Sequence, residues 1–246
     1  MDISYIKIIK NLIDIVEKEE EKNILDASKL MSDAIINHHS IFTFGASHAG
    51  ILSEEMYYRA GGLVVINPIF GREIMLDTTP ITQTSRMERL NGYGTALVEK
   101  TPVKSGDVVI VHSVSGRNPV SIDVAIECKK RGAKIVVITN LSYSKEVSSR
   151  HVSGKKLYEL ADIVIDNHGE KGDACVKIEG LEQKVAPSST VIGGIIVNSL
   201  VSLTTAKLVE SGIHPVPIFY SANIDGGDEL NQQVYQQYKD QIHYQF

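Results

Sequence analysis

Short runs of consecutive apolar, mostly β-branched residues alternate along this chain with longer stretches in which apolar residues recur at intervals of three and four. The short runs are SIFTF at 40–44, LVVI at 63–66, DVVIVH at 107–112, KIVVIT at 134–139 and DIVID at 162–166. They predict five strands. Nearly all are apolar at successive positions, the pattern of strands covered by helices on both faces, and so of a parallel sheet. Between them, helices are expected at 48–60 before Gly61 and Gly62, near 81–99, and at 119–131 before Gly132. That alternation is a βαβ series.

Ahead of the first strand, Ile6, Ile9, Leu12, Ile13 and Val16 mark an amphipathic helix, and a second is expected at about 24–37. Together they read as a helical lead-in. After the fifth strand comes a polar patch, EGLEQKVAPSS, then a helix at about 190–210 that ends at Gly212 with Pro215 beyond. It is expected to be the longest in the chain. One more helix should follow Asp228, with that residue as its cap.

With 246 residues, 43% of them hydrophobic and 22% charged, the chain has enough apolar content for a full core. No linker tract and no repeat divides it, so a single domain is expected over 1–246: lead-in 1–36, core 37–210 and C-terminal extension 211–246. The formal charge of −5 argues against a nucleic-acid or anionic-membrane surface. Cys128 and Cys175 are too few for a disulfide framework and fit a reducing compartment. No export signal is visible at the N-terminus, and the apolar segment 191–203 is interrupted by Gly193, Gly194, Asn198 and Ser199. A cytoplasmic protein is expected.

In an open parallel sheet the ligand crevice lies past the carboxyl ends of the strands. The first such turn is FGASHAG, where Gly45, Ser47, His48 and Gly50 sit between a strand and a helix start, an arrangement suited to an anion. It is not a dinucleotide fingerprint: Ser47 stands where the second glycine should be, and Asn67 stands where an acidic ribose ligand is expected. Ala49 in place of glycine also breaks the nucleophile-elbow pattern of a serine hydrolase. The third strand runs into HSVSGRNP. There Ser113 and Ser115 offer hydroxyls, Gly116 frees the turn, Asn118 is placed to cap the next helix and Pro119 sits at its first position. A third hydroxyl cluster, Ser188, Ser189 and Thr190, opens the long helix. Three hydroxyl-rich helix starts exceed what capping needs and suit a phosphate held by neutral donors and helix dipoles.

In FGASHAG, YYRAGGL, VHSVSGRNPVSIDVAIECKKRGAKIVVITN and APSSTVIGG the sequence resembles the sugar isomerase (SIS) domain family, over roughly residues 37–210. The resemblance implies an α/β, three-layer α-β-α sandwich with a five-stranded parallel sheet of flavodoxin-like order, assembled as a homodimer or homotetramer. It implies a phosphorylated sugar as ligand, surrounded by Ser47, Ser113, Ser115, Gly116, Asn118, Ser188, Ser189 and Thr190, with Gly45 shaping the first loop. Phosphoheptose isomerases and related etherases of this family use an acidic residue on the first crevice helix. Met56 and Tyr57 occupy that place here, with Glu54 and Glu55 a turn or less away, and Val197 and Asn198 stand where such isomerases have a histidine.

An aldose-ketose isomerase with Glu55 or Glu54 as proton carrier and His48 assisting is therefore the first expectation, with no cofactor. The alternatives are a phosphosugar sensor without turnover and a lyase or etherase. No metal is expected, because His38 and His39 diverge and no HxxxH pair falls on a helix.

Overall fold

The computed structural model describes residues 4–245. Five parallel strands form one sheet in the order β2-β1-β3-β4-β5, which is the flavodoxin-like order. They are β1 (Ile41–Gly45), β2 (Ile66–Pro68), β3 (Val108–His112), β4 (Lys134–Thr139) and β5 (Ile163–Asp166). In-register pairing of Ile41 with Val108 and of Val108 with Lys134 brings the carboxyl ends of the three middle strands level, so their loops open side by side.

The sheet divides two hydrophobic layers. Ile41, Val108, Ile110, Val136 and Ile138 face the long helices α1 (Ser4–Ile36) and α7 (Ser189–Glu210). The alternate residues Phe42, Phe44, Val109, Val111, Ile135 and Val137 face the layer that holds α4 (Tyr93–Glu99) and α5 (Pro119–Lys130). Both sides of the three middle strands are thus dry, which is why they read as unbroken apolar runs.

Several elements differ from the sequence expectation, each for a local reason. The two lead-in helices are one helix of 33 residues, longer than the 22-residue α7. It is a layer of the core and not an appendage: Leu12, Val16, Ala27, Met31 and Ile35 are buried, and α1 packs along α7. The run LVVI is not itself the second strand. Residues 61–64 pair antiparallel with 217–219 of the C-terminal extension, through Val64 N to Pro217 O at 2.8 Å and Phe219 N to Gly62 O at 2.8 Å, and β2 begins only at Ile66.

The helix expected at 48–60 is a 3-10 turn at Ser47–Gly50 followed by α2 (Ile51–Met56), closed where Tyr57 turns extended. The stretch near 81–99 is broken into α3 (Thr82–Glu88) and α4 by Gly92 in the left-handed region at φ 87°. The polar patch contains β7 (Val185–Pro187), which pairs with β6 (Ala174–Val176) in a two-stranded antiparallel sheet. Asp228 lies in the first turn of α8 (Gly227–Tyr238), whose cap position is Gly226.

Leu200 of α7 is fully buried in the layer shared with α1. Leu200→Ala should lower unfolding stability by about 2–5 kcal/mol. Urea denaturation would register this as a lower midpoint at an unchanged slope.

Candidate functional site

A cleft of about 270 Å³ opens at the carboxyl ends of β1, β3 and β4. Ser47 and His48 of the first loop, Ser113, Ser115 and Asn118 of the second, Tyr143 of α6 (Leu141–Glu146), Glu88 of α3 and Asp173 all line it. Each loop is held from below by the end of a strand. His112, buried at the end of β3, donates from Nδ1 to Ala49 O at 3.0 Å and so fixes the first loop. Burial holds its pKa below the ordinary histidine value, with the Ala49 bond opposing, and the ring stays neutral in this role. Thr139, at the end of β4, donates its hydroxyl to Ser113 O at 2.7 Å and Val114 O at 3.1 Å. Asn140 N adds a bond to Val114 O at 3.0 Å.

The first loop is tight. A Cβ on Gly45 would lie 2.3 Å from Ala49 O, so only glycine fits there. Ser47 itself takes φ 54°, a left-handed conformation uncommon for a residue with a side chain, and this conformation places it on the cleft wall. In the second loop Gly116 is at φ 58° with Ser144 Oγ 2.8 Å from where a Cβ would stand.

The side chain of Asn118 does not cap α5 as expected. Its Nδ2 donates to Glu88 Oε2 at 2.7 Å and its Oδ1 accepts from Arg150 Nη1 at 2.9 Å, so it bridges the two charges instead. Glu88 is half-buried. Desolvation raises its pKa above the usual carboxylate value, offset in part by the Asn118 bond and by the charges of Arg89, Arg150 and His48.

The third hydroxyl cluster is placed differently. Ser188 and Ser189 are buried, and the start of α7 is occupied by the carboxylate of Asp173. Its Oδ1 accepts from Ser189 N at 2.8 Å and Ser188 N at 3.1 Å, and its Oδ2 accepts from Ser189 Oγ at 2.5 Å. Neither serine lines the cleft, nor does Thr190, and their donors reach it only through Asp173.

Glu54 and Glu55 also lie outside the cleft. Glu54 is exposed, while Glu55 pairs with Arg59 and accepts from Asn198 Nδ2 at 2.9 Å. The structure thus gathers Ser47, His48, Ser113, Ser115 and Asn118, and substitutes Glu88 and Asp173 as the nearby carboxylates. No short motif marks either residue: Glu88 comes from a helix between strands, and Asp173 from the turn before β6.

Residues 4–140 match the SIS domain pattern. The chain belongs to the SIS domain family. It is 54% identical over 240 residues to a UPF0309 protein of Oceanobacillus iheyensis, spanning 98% of this chain and 97% of that one. A UPF0309 protein of Shouchella clausii is 51% identical over 240 residues, with the same coverage. Among solved structures, a phosphoheptose isomerase from Neisseria gonorrhoeae superposes with TM-score 0.54 at 14% identity, over 85% of this chain and 96% of that chain. One from Francisella tularensis gives TM-score 0.55 at 14% identity, over 82% and 94%. At that identity the likeness is one of fold alone.

Because Asp173 supplies the side-chain acceptor for the two amides at the start of α7, Asp173→Ala should cost about 0.5–2 kcal/mol of stability, as for other lost helix caps. Asp173→Asn, which can keep the Oδ1 acceptor, should lose less. Thermal melts of the two variants side by side test the ordering.

Proposed function

We propose that the cleft binds a phosphorylated sugar and moves a proton between its adjacent carbons, interconverting aldose and ketose forms. The observation that carries this reading is Glu88, a carboxyl raised above its ordinary pKa by burial and set in one cleft with the hydroxyls of Ser47, Ser113 and Ser115. A proton carrier works best when its pKa approaches the operating pH, and desolvation moves Glu88 that way. The fold neighbours that are phosphoheptose isomerases support the same reaction class.

In this reading the three serines and the amides at the start of α5 hold the phosphate by neutral donors and the helix dipole. Ionised Glu88 takes the proton from the carbon beside the carbonyl, giving an enediol, and returns it to the neighbouring carbon. His48, at the mouth, assists proton movement between the two oxygens. Asp173, already fixed by three donors from α7, accepts hydrogen bonds from sugar hydroxyls. The role first expected of Glu54 or Glu55 passes to Glu88, because neither of those residues lines the cleft.

Hexose, amino-sugar and heptose phosphates incubated in deuterated water should show deuterium uptake beside the carbonyl for the true substrate. Glu88→Gln should reduce turnover by about 10²- to 10⁴-fold while phosphosugar binding persists, and Ser115→Ala should weaken binding. The base form is the active one, so the wild-type rate should fall as pH drops through the Glu88 pKa, which lies above the ordinary value of about 4.3. A ligand that binds tightly with neither exchange nor conversion would overturn the isomerase and leave a phosphosugar sensor.

A further inference from the structure

Three arginines stand next to the cleft residues Glu88 and Asn118, close enough for their charges to act on one another. Arg89 follows Glu88 directly in the chain, Arg150 Nη1 bonds the Asn118 amide that holds Glu88, and Arg150 N bonds Arg117 O at 2.9 Å. The Arg117 side chain donates from Nη2 to Ser148 Oγ at 3.2 Å, and its Nε is buried with no hydrogen-bond partner. Among the described residues none of the three forms an ion pair with a carboxylate. Their mutual repulsion is felt: burial first, then the charges of Arg117 and Arg89, lower the Arg150 pKa.

Like charges clustered without counter-ions are unfavourable for the free protein, and this chain carries a net charge of −5 with acidic groups to spare. The charge of Glu88 acts on Arg150, but a neutral amide stands between the two. The serines and the start of α5 already account for one phosphate without calling on any arginine. We propose that the natural ligand is a sugar phosphate bearing a second acidic group, a carboxylate or a second phosphate, which Arg89, Arg117 and Arg150 bind at the cleft rim. This rests on the phosphosugar reading and narrows it to doubly acidic ligands. Guanidinium forks suit both candidate groups, since each offers two oxygens to parallel N–H donors.

Three open-chain probes separate the possibilities by calorimetry: sorbitol 6-phosphate, 6-phosphogluconate and sorbitol 1,6-bisphosphate. At least one of the two diacidic compounds should bind at least about tenfold tighter than sorbitol 6-phosphate, the scale of one charge-assisted pair, and added salt should shrink the difference. Which of them gains identifies the second group as carboxylate or phosphate. In the double variant Arg89→Gln, Arg150→Gln, both exposed positions, the diacidic compounds should lose their advantage over sorbitol 6-phosphate measured on the same variant. Equal affinity for all three probes, or an advantage that survives in the double variant, overturns the proposal and leaves the phosphosugar reading intact. If none of these probes, nor any phosphosugar of the wider panel, binds a protein that melts normally, the phosphosugar reading fails and this inference with it.

Discussion

Burial of the parallel sheet on both faces is the constraint from which the rest of the molecule follows. Side chains of β1, β3 and β4 point alternately into one dry layer and the other, so no residue within the strands is free to meet a ligand. Chemistry is confined to the places where the strands stop. In-register pairing of the three middle strands brings those ends level, and the helices that follow start there with unsatisfied amides. The last residues of the strands then act as struts: His112 fixes the first loop and Thr139 the second.

Two carboxylates line one cleft in opposite environments. Asp173 sits at the start of a 22-residue helix, where its carboxylate accepts from two amides and a hydroxyl. Glu88 has one amide donor and is set mainly by loss of water. One carboxylate is thus held by three donors of the chain, while the other keeps a single amide partner and is set mainly by desolvation. The hold on Asp173 also explains why the serines of the long helix are withdrawn from the cleft: the anion they suit is supplied from within the chain.

Four of the five strands and the two central loops were legible in sequence because both-face burial writes continuous apolar runs and because SVSG and FGASHAG punctuate their ends. Errors fell where tertiary pairing overrode local pattern. The run LVVI has strand character, yet residues 61–64 pair with 217–219, more than 150 residues away, which no local rule detects. The charged segment EKEEEKN looked like a break between two helices; it continues as one because Val16 and Ile24 keep the buried stripe, and Glu20 is buried against His168 with Nε2 to Oε1 at 3.0 Å. The site was half legible. Hydroxyl-bearing loops announce themselves by glycine and serine spacing, whereas Glu88 and Asp173 are single acids whose meaning comes only from what surrounds them.

The rim arginines complete this division of labour under the proposed reading. A cradle of neutral hydroxyls lets a dianion go after turnover, since no full countercharge must be left behind and rehydrated. It also attracts weakly from a distance, a disadvantage for a protein whose overall field repels anions. Guanidinium groups at the mouth reverse the local sign without entering the cradle, because Asn118 keeps Arg150 one amide away from Glu88. Were Arg150 to pair with Glu88 directly, the ion pair would favour the carboxylate form and remove the raised pKa on which proton transfer depends. The bridging amide therefore lets capture and chemistry sit side by side.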